Sequence, residues 1–152
     1  MRKISGTTPA VRIRRARQTD AQRIAELSGQ LGYPTTSKQM AARLRQVLRE
    51  KSGACFLAET PQNGIVGWVH VSVTLLLEVE RRAEMKGLVV DENVRSRGVG
   101  AELLNAAEDW ARKKRCTGMS VRSNVIRERA HRFYLRQGYK HYKTQKAFRK
   151  TL

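Results

Sequence analysis

Apolar and polar positions along the first half of the chain predict short strands and amphipathic helices. Residues 11–16 alternate apolar and basic side chains, which is typical of a half-buried strand. Helical spacing follows from 19 or 20 to 31 and from 37 to about 50, with Ser37 expected to cap the second helix. Strands are predicted over 54–59 and 65–73, joined by a hairpin turn at 61–64.

The second half continues the alternation of strands and helices. A charged connection over 75–82 leads to an apolar strand over 83–90, and a long amphipathic helix is predicted over 98–114. A strand near 117–122, a helix over about 127–137 that ends at Gly138, and a last hairpin from Tyr139 complete the pattern. The predicted order is therefore β-α-α-β-β-β-α-β-α-β-β.

A glycine-rich loop joins the apolar strand to the long helix. A helix that opens at such a loop exposes backbone N–H groups and the positive end of its dipole, which together bind phosphate. Glycines let an anion approach the backbone closely, and the two arginines add positive charge. The predicted pyrophosphate ligands are Arg95, Ser96, Arg97, Gly98, Val99 and Gly100.

The loop lacks the Gly-Lys-Ser/Thr of nucleotide triphosphatases and the third glycine of dinucleotide-binding folds. Its Arg-x-x-Gly-x-Gly pattern resembles the acetyl-coenzyme A loop of the GNAT superfamily of N-acetyltransferases. A second segment also resembles that superfamily. Asn124 follows a predicted strand, and further along the chain the pair Phe133-Tyr134 is separated by three residues from the pair Gly138-Tyr139. The two motifs stand in the order expected for that superfamily, and the resemblance covers roughly residues 11–150.

The resemblance implies a fold, a cosubstrate and several roles. The fold would be a single α/β (α+β) domain, the GNAT acyl-CoA N-acyltransferase fold, with a mixed, mostly antiparallel sheet flanked by helices. Acetyl-CoA would be the cosubstrate, with no metal. Tyr134 would donate a proton to the departing thiolate and Asn124 would contact the coenzyme. Backbone groups of one strand would pair with the pantetheine arm and polarise the thioester; these belong to Leu88, Val89 and Val90.

Transfer to an amine also needs a base, since an ammonium ion is not nucleophilic. Glu84 lies 11 residues before Arg95, the offset at which the histone-acetyltransferase branch of the superfamily has its general base. Strand alternation places Lys86 on the same face, where it could pair with Glu84 and lower its pKa. His70, on a face with Trp68, is the alternative base. An ordinary structural role stays open for each.

The acceptor is expected beside the first two helices, and the corresponding residues are Tyr33, Trp68, His70 and Glu80. Acids are concentrated between 78 and 92, so a cationic amine would be attracted locally. A small-molecule primary amine, attacking directly in a ternary complex, is the first hypothesis. Acetylation of protein lysines or N-termini is the alternative, and so is a basic nucleic-acid-binding or CoA-sensing module on the same fold.

Charge, length and cysteines add a few constraints. The 152-residue chain carries 31 Lys and Arg against 13 Asp and Glu, a net charge of +18. Such a surface attracts nucleic acid without sequence selection. The two cysteines suggest reduced, buried thiols in a cytoplasmic protein, and no segment is apolar enough to span a membrane. We expect an N-terminal extension over 1–10 and the domain over 11–152; a homodimer stays open, as dimers are common in this superfamily.

Overall fold

The computed structural model describes residues 10–95 and 97–152. We call the glycine-rich loop over 95–100 the phosphate loop. Its Ser96 and most of the expected N-terminal extension lie outside the described residues. The chain forms two compact units, of which the first ends at Arg122 and the second comprises Ser123–Leu152. No described helix is long and apolar enough to cross a membrane.

The first unit contains a five-stranded sheet whose strands lie in the order of the chain. Three antiparallel pairings join the first four strands, and the last pairing, between β4 and β5, is parallel. The strands are β1 (Arg12–Arg15), β2 (Gly53–Thr60), β3 (Gly64–Leu76), β4 (Val79–Val90) and β5 (Met119–Val121). The helices are α1 (Ala21–Gln30), α2 (Ser37–Arg49), α3 (Val99–Lys113) and, in the second unit, α4 (Glu128–Arg136).

All four predicted helices are confirmed, with one change at the start of α2. Thr36, rather than Ser37, is the N-cap: its hydroxyl accepts from the Gln39 N–H at 3.1 Å, and the Gln39 side chain accepts from the Thr36 N–H at 3.1 Å. This reciprocal capping box needs a Glu or Gln three residues after the cap. Thr36 has that partner in Gln39, whereas Ser37 would have Met40.

The charged connection predicted over 75–82 is wrong. β3 continues to Leu76 and β4 begins at Val79, so the two strands form one long hairpin that turns at 77–78. Its end projects from the core, where Leu77 is fully exposed. A strand without a buried face shows no apolar alternation, and this part of the hairpin was therefore not recognisable from the periodicity.

The final hairpin predicted from Tyr139 is also absent, since residues 139–152 contain neither helix nor strand. This segment has no Gly, Asn, Asp or Pro that would favour a tight turn. It carries five Lys or Arg and no acid, so paired strands would bring like charges together. A two-stranded hairpin is marginal even without that repulsion.

Helices cover both faces of the sheet in the first unit. On one face, Ile24 of α1 and Leu44 of α2 pack with Cys55 and Leu57 of β2. On the other face α3 lies close to the sheet at Gly67 of β3. A β-carbon on Gly67 would lie 2.8 Å from the Val89 carbonyl oxygen and 3.0 Å from Leu103. The missing side chain therefore sets how closely α3 approaches the sheet.

We expect Gly67→Ala to lower the free energy of unfolding by roughly 1–3 kcal/mol, because the added methyl overpacks this contact. Chemical denaturation monitored by circular dichroism measures the change. Gly29→Ala in α1 is the matched control, since nothing lies within 4 Å of its β-carbon position. Because alanine favours the helical conformation there, we expect the free energy of unfolding of this control to stay unchanged or to rise by up to about 1 kcal/mol. Equal effects at the two glycines would contradict the packing argument.

Candidate active site

Gly98 of the phosphate loop is the N-cap of α3, so the predicted ligands Val99 and Gly100 lie in the first turn of the helix. Gly98 has φ 82°, a left-handed conformation that favours glycine, and its β-carbon position faces open space. An anion can therefore approach the first N–H groups of α3. The Arg95 Nε donates to the Val90 carbonyl at 3.1 Å, which fixes this side chain against the end of β4, while Arg97 is exposed.

An ion pair holds the start of this loop against α1. The Arg23 guanidinium donates to a carboxylate oxygen of Asp91 at 2.6 Å, and the other oxygen accepts from the Asn93 N–H at 3.1 Å. Burial alone would raise the pKa of Asp91, but the hydrogen bonds from Asn93 and Arg23 outweigh it and lower the pKa. Asp91 is therefore ionised, and its charge is already compensated by Arg23. In the sequence analysis it belongs to the acids expected to attract a cationic amine.

The edge of β4 is unpaired beyond its short pairing with β5. β5 pairs with β4 over only three positions, from Ala83 opposite Met119 to Met85 opposite Val121. β4 continues for five further residues, and Val90 is its last. Among the described residues no strand pairs with this continuation of the edge. The backbone predicted to hold the pantetheine arm and the thioester, at Leu88, Val89 and Val90, lies on it.

Several of the predicted side chains share one face of the sheet beside this edge. Residues opposite one another in antiparallel strands lie on the same face. Trp68 lies opposite Val89, His70 opposite Gly87, and Ser72 opposite Glu84. Lys86 has no partner in β3, because the register shifts between His70 and Val71. Such a bulge re-aims a side chain and often adjoins an active site.

Glu84 is a buried carboxylate held between two cations. Lys86 Nζ donates to Oε2 at 3.1 Å, and Arg122 Nε donates to Oε1 at 2.7 Å. Burial alone would raise the pKa of Glu84, but the hydrogen bonds and charges of Lys86 and Arg122 outweigh it and lower the pKa. Glu84 is therefore ionised at neutral pH and only weakly basic. The predicted pairing with Lys86 is confirmed.

His70 and Trp68 form the inner part of the same face. Burial, and then the charge of Lys86, lower the pKa of His70, so its imidazole is neutral at pH 7. The Trp68 ring lies over Gly87, where a β-carbon would come within 2.8 Å of two ring atoms. Its buried indole nitrogen has no hydrogen-bond partner among the described residues. This face thus contains a neutral imidazole, which can accept a proton, and a buried indole N–H.

The other two predicted acceptor residues lie further out. Tyr33, on the loop after α1, is 69% exposed. That loop starts with Leu31, which would lie 4.0 Å from a β-carbon on Gly87, so the loop is close to the face even though no contact of the Tyr33 ring places it there. Glu80 is exposed near the hairpin turn, four residues before Glu84 and hence about 13 Å along β4.

Asn124 and Tyr134 belong to the second unit. Asn124 closes a turn before α4, where its Oδ1 accepts from the Ile126 N–H at 3.2 Å. Tyr134 packs edge-on against Phe133, with 5.3 Å between ring centroids, and 5.9 Å from the ring of Tyr139. Burial raises the pKa of Tyr134 to about 12, although Arg127 opposes the shift. The Tyr134 hydroxyl therefore keeps its proton throughout the physiological range.

Sequence reasoning missed Arg122 as a partner of Glu84. Ser120 lies opposite Glu84 in the parallel pair, and Arg122 follows two residues later on the same face. A basic residue directly after β5 is the signal that could have predicted this ion pair. It points to Glu84 only when the parallel register of β4 and β5 is known. Single-sequence patterns do not give that register.

The comparisons with known proteins are consistent with the resemblance. A family model described as "Acetyltransferase (GNAT) family" matches residues 15–139. A 66-residue stretch is 41% identical to the aminoalkylphosphonate N-acetyltransferase of Salmonella typhimurium. The stretch covers 42% of this chain and 43% of that relative, so less than half of the relative is matched.

Solved structures are similar over nearly the whole chain. An aminoglycoside N-acetyltransferase in complex with CoA has a TM-score of 0.85 at 18% identity, covering 98% of this chain and 100% of its own. An aminoglycoside 6′-N-acetyltransferase from Acinetobacter baumannii has a TM-score of 0.82 at 17% identity, covering 94% and 99%. At these identities the similarity shows a shared fold.

The ion pairs of Glu84 predict a specific dependence of stability on pH. Because its pKa is lowered in the folded state, Glu84 stabilises the fold above its ordinary pKa of about 4.5, and this contribution is lost as pH falls through the folded-state value. Glu84→Gln mimics the protonated carboxyl. We expect the difference in unfolding free energy between wild type and Glu84→Gln to be constant near neutral pH and to shrink below about pH 4.5.

Urea denaturation between pH 7 and pH 3 measures this difference. Glu50→Gln, which removes an exposed carboxylate at the end of α2, corrects for the change in net charge. A difference that stays constant down to pH 3 would contradict the ion-paired state of Glu84.

Proposed function

This chain belongs to the GNAT family of acetyltransferases, and we propose that it transfers the acetyl group of acetyl-CoA to the primary amine of a small molecule. One observation carries the proposal: the open edge of β4 ends at Val90, and the loop that follows is tied to that residue by Arg95 and opens α3 at Gly98. A pyrophosphate at the helix end and an extended pantetheine along the strand edge would place the thioester beside the face that bears Glu84.

The reaction joins two molecules without a redox step. The neutral amine nitrogen attacks the thioester carbonyl carbon, a C–N bond forms and the C–S bond breaks. The nitrogen loses one proton and the departing sulfur gains one, so the products are an acetamide and CoA. We propose that backbone N–H groups among Leu88, Val89 and Val90 polarise the carbonyl while the negative charge develops on its oxygen.

Glu84 is our candidate for the base that receives the amine proton, either directly or through a water molecule. It is ionised at neutral pH, as a base must be, although its ion pairs weaken it. His70 is the second candidate, because its lowered pKa keeps the ring neutral and able to accept a proton. Both residues lie on the same sheet face as Trp68.

Tyr134 is proposed to assist the departure of sulfur. A thiol has a pKa of about 8.5 and Tyr134 one of about 12. Full transfer of the phenolic proton to the thiolate is therefore uphill, and a hydrogen bond from the hydroxyl to the developing thiolate fits these values better. Asn124, whose side-chain oxygen accepts from the Ile126 N–H, is our candidate coenzyme contact in the same unit.

A small-molecule acceptor is favoured over a protein. The related sequence of Salmonella typhimurium is named for aminoalkylphosphonates, and the similar structures for aminoglycosides, so small amines recur among them. The net charge of +18 gives an independent reason, since it repels basic protein tails at long range. The same charge supports a second candidate, a nucleic-acid-binding or CoA-sensing protein on this fold.

We expect CoA release from acetyl-CoA to require an added primary amine and to equal the amount of acetamide formed. A thiol-reactive dye and mass spectrometry measure the two products over a panel of small amines, a lysine peptide and a buffer blank. If acetyl-CoA raises the melting temperature but no amine supports release, the sensing alternative is correct. If acetyl-CoA neither binds nor reacts, both proposals based on the coenzyme fail.

A matched pair of variants tests the loop in the same assay. Gly98→Asn and Gly98→Asp share size, shape and tolerance of the left-handed conformation, but only aspartate brings a charge to the phosphate position. Aspartate near a helix N-terminus also favours the helix, so misfolding is not the expected cause of a defect. We expect the KM for acetyl-CoA to be at least about tenfold higher with Asp than with Asn.

Tyr134→Phe keeps the ring and removes the hydroxyl. We expect the KM for acetyl-CoA to stay within a few-fold and turnover to fall roughly ten- to a thousandfold, the range for loss of one proton donor. Tyr142→Phe, at an exposed tyrosine of the same unit, is the control for removing a phenolic hydroxyl. Full turnover of Tyr134→Phe would remove this residue from the mechanism.

A further inference from the structure

We propose that the acceptor amine carries an oxyanion, such as a phosphonate or carboxylate, and that Lys86 and Arg122 bind it. This inference rests on the proposed acetyl transfer and names the class of acceptor. It concerns a subsite around Glu84, defined here as the anion subsite, which consists of the Lys86 ammonium and the Arg122 guanidinium.

The charges around Glu84 do not balance. One carboxylate faces two cations, with N–O distances of 3.1 Å to Lys86 and 2.7 Å to Arg122. The cluster therefore keeps about one positive charge beside the open edge of β4. A second anion would complete the neutralisation, and an acceptor that carries both an amine and an oxyanion can supply it.

Both cations have donors that can reach such an anion. The Arg122 side chain is 76% exposed and binds Glu84 through Nε, and a guanidinium has four further N–H donors on its terminal nitrogens. Two of these in parallel match the oxygens of a phosphonate or carboxylate. The Lys86 side chain is 38% exposed and has three donors, of which one is bound to Glu84.

The subsite also lies at the right place along β4. Lys86 is two residues from Leu88, where the open strand edge proposed to hold the thioester begins, a distance of about 7 Å. An oxyanion on Lys86 and Arg122 would thus leave an amine two or three bonds away within reach of the thioester.

A polycationic acceptor fits these charges poorly. Glu84 and Asp91, two of the acids that sequence reasoning assigned to cation attraction, are already paired with Lys86 and Arg122 and with Arg23. Glu80 is near the hairpin turn, about 13 Å along the strand from Glu84. A polyamine would therefore meet a positive cluster within a protein of net charge +18.

The test compares acceptors that share an amine and differ in charge. The anionic acceptors are 2-aminoethylphosphonate and β-alanine; the neutral counterparts are the diethyl ester of the phosphonate and the ethyl ester of β-alanine; spermidine is the polycation. We expect kcat/KM to be at least about tenfold higher for at least one anionic acceptor than for its ester, and higher than for spermidine. Equal values for acids and esters, or a preference for spermidine, would overturn the anion subsite while leaving acetyl transfer established.

Variants assign the effect to the two side chains. Lys86→Gln and Arg122→Gln should each lower the ratio of kcat/KM for the anionic acceptor to that for its ester about tenfold or more. A change shared by both acceptors would instead reflect the contacts of these residues with Glu84. Lys113→Gln, at the far end of α3, removes the same charge from the protein and should leave this ratio unchanged. Lys86→Arg and Arg122→Lys keep the charge and should keep most of the preference for the anion.

The outcomes separate the two proposals. If no amine of any charge is acetylated while acetyl-CoA is shown to bind, the proposed function has failed. If both glutamine variants retain the anionic preference of the wild type, these residues do not form the subsite. The melting temperature of each variant, measured with and without acetyl-CoA, shows whether a change in KM reflects folding.

Discussion

The point at which β5 stops pairing with β4 is the constraint on which the site depends. Three paired positions hold the two strands together, and β4 then continues to Val90 with an open edge. Had the pairing continued, the backbone groups of this edge would be used within the sheet and could not hold an extended ligand. Arg122 directly follows Val121, the last paired residue of β5. Its ion pair with Glu84 therefore joins the two strands where their pairing ends.

That ion pair explains why the site combines a buried carboxylate with surplus positive charge. A carboxylate removed from water needs compensation, and Glu84 receives it from Lys86 and Arg122. Two partners lower its proton affinity further than one would, which weakens it as a base. The same two partners carry one positive charge more than Glu84 neutralises, and it is this surplus charge that our proposal assigns to an anionic acceptor. His70, which is neutral at pH 7 and lies on the same sheet face, therefore stays the second candidate base of our proposal.

Local signals predicted much of this structure, and non-local pairings account for what they missed. Helical periodicity gave α1 to α4 to within a few residues, and the glycine of the phosphate loop is the left-handed cap that its position required. The hairpin arm over 75–82 lies outside the core and has no apolar pattern to reveal it. The pairing of Glu84 with Lys86 was expected because the two residues lie two positions apart on one strand. The pairing with Arg122 depends on a register between segments 38 residues apart, which no local pattern contains.

Charge acts on this protein at two distances. At long range a net charge of +18 draws anions, the coenzyme among them, and repels polycations, but solvent salt screens it within about 8 Å at physiological ionic strength. Beside the open edge of β4, the charges at short range include Glu84 and its two cations, Lys86 and Arg122. A protein of similar structure is named for aminoglycosides, and a relative similar in part of its sequence is named for aminoalkylphosphonates. A shared fold therefore does not by itself select an acceptor, and our proposal assigns that selection to the few charges beside the end of the β4–β5 pairing.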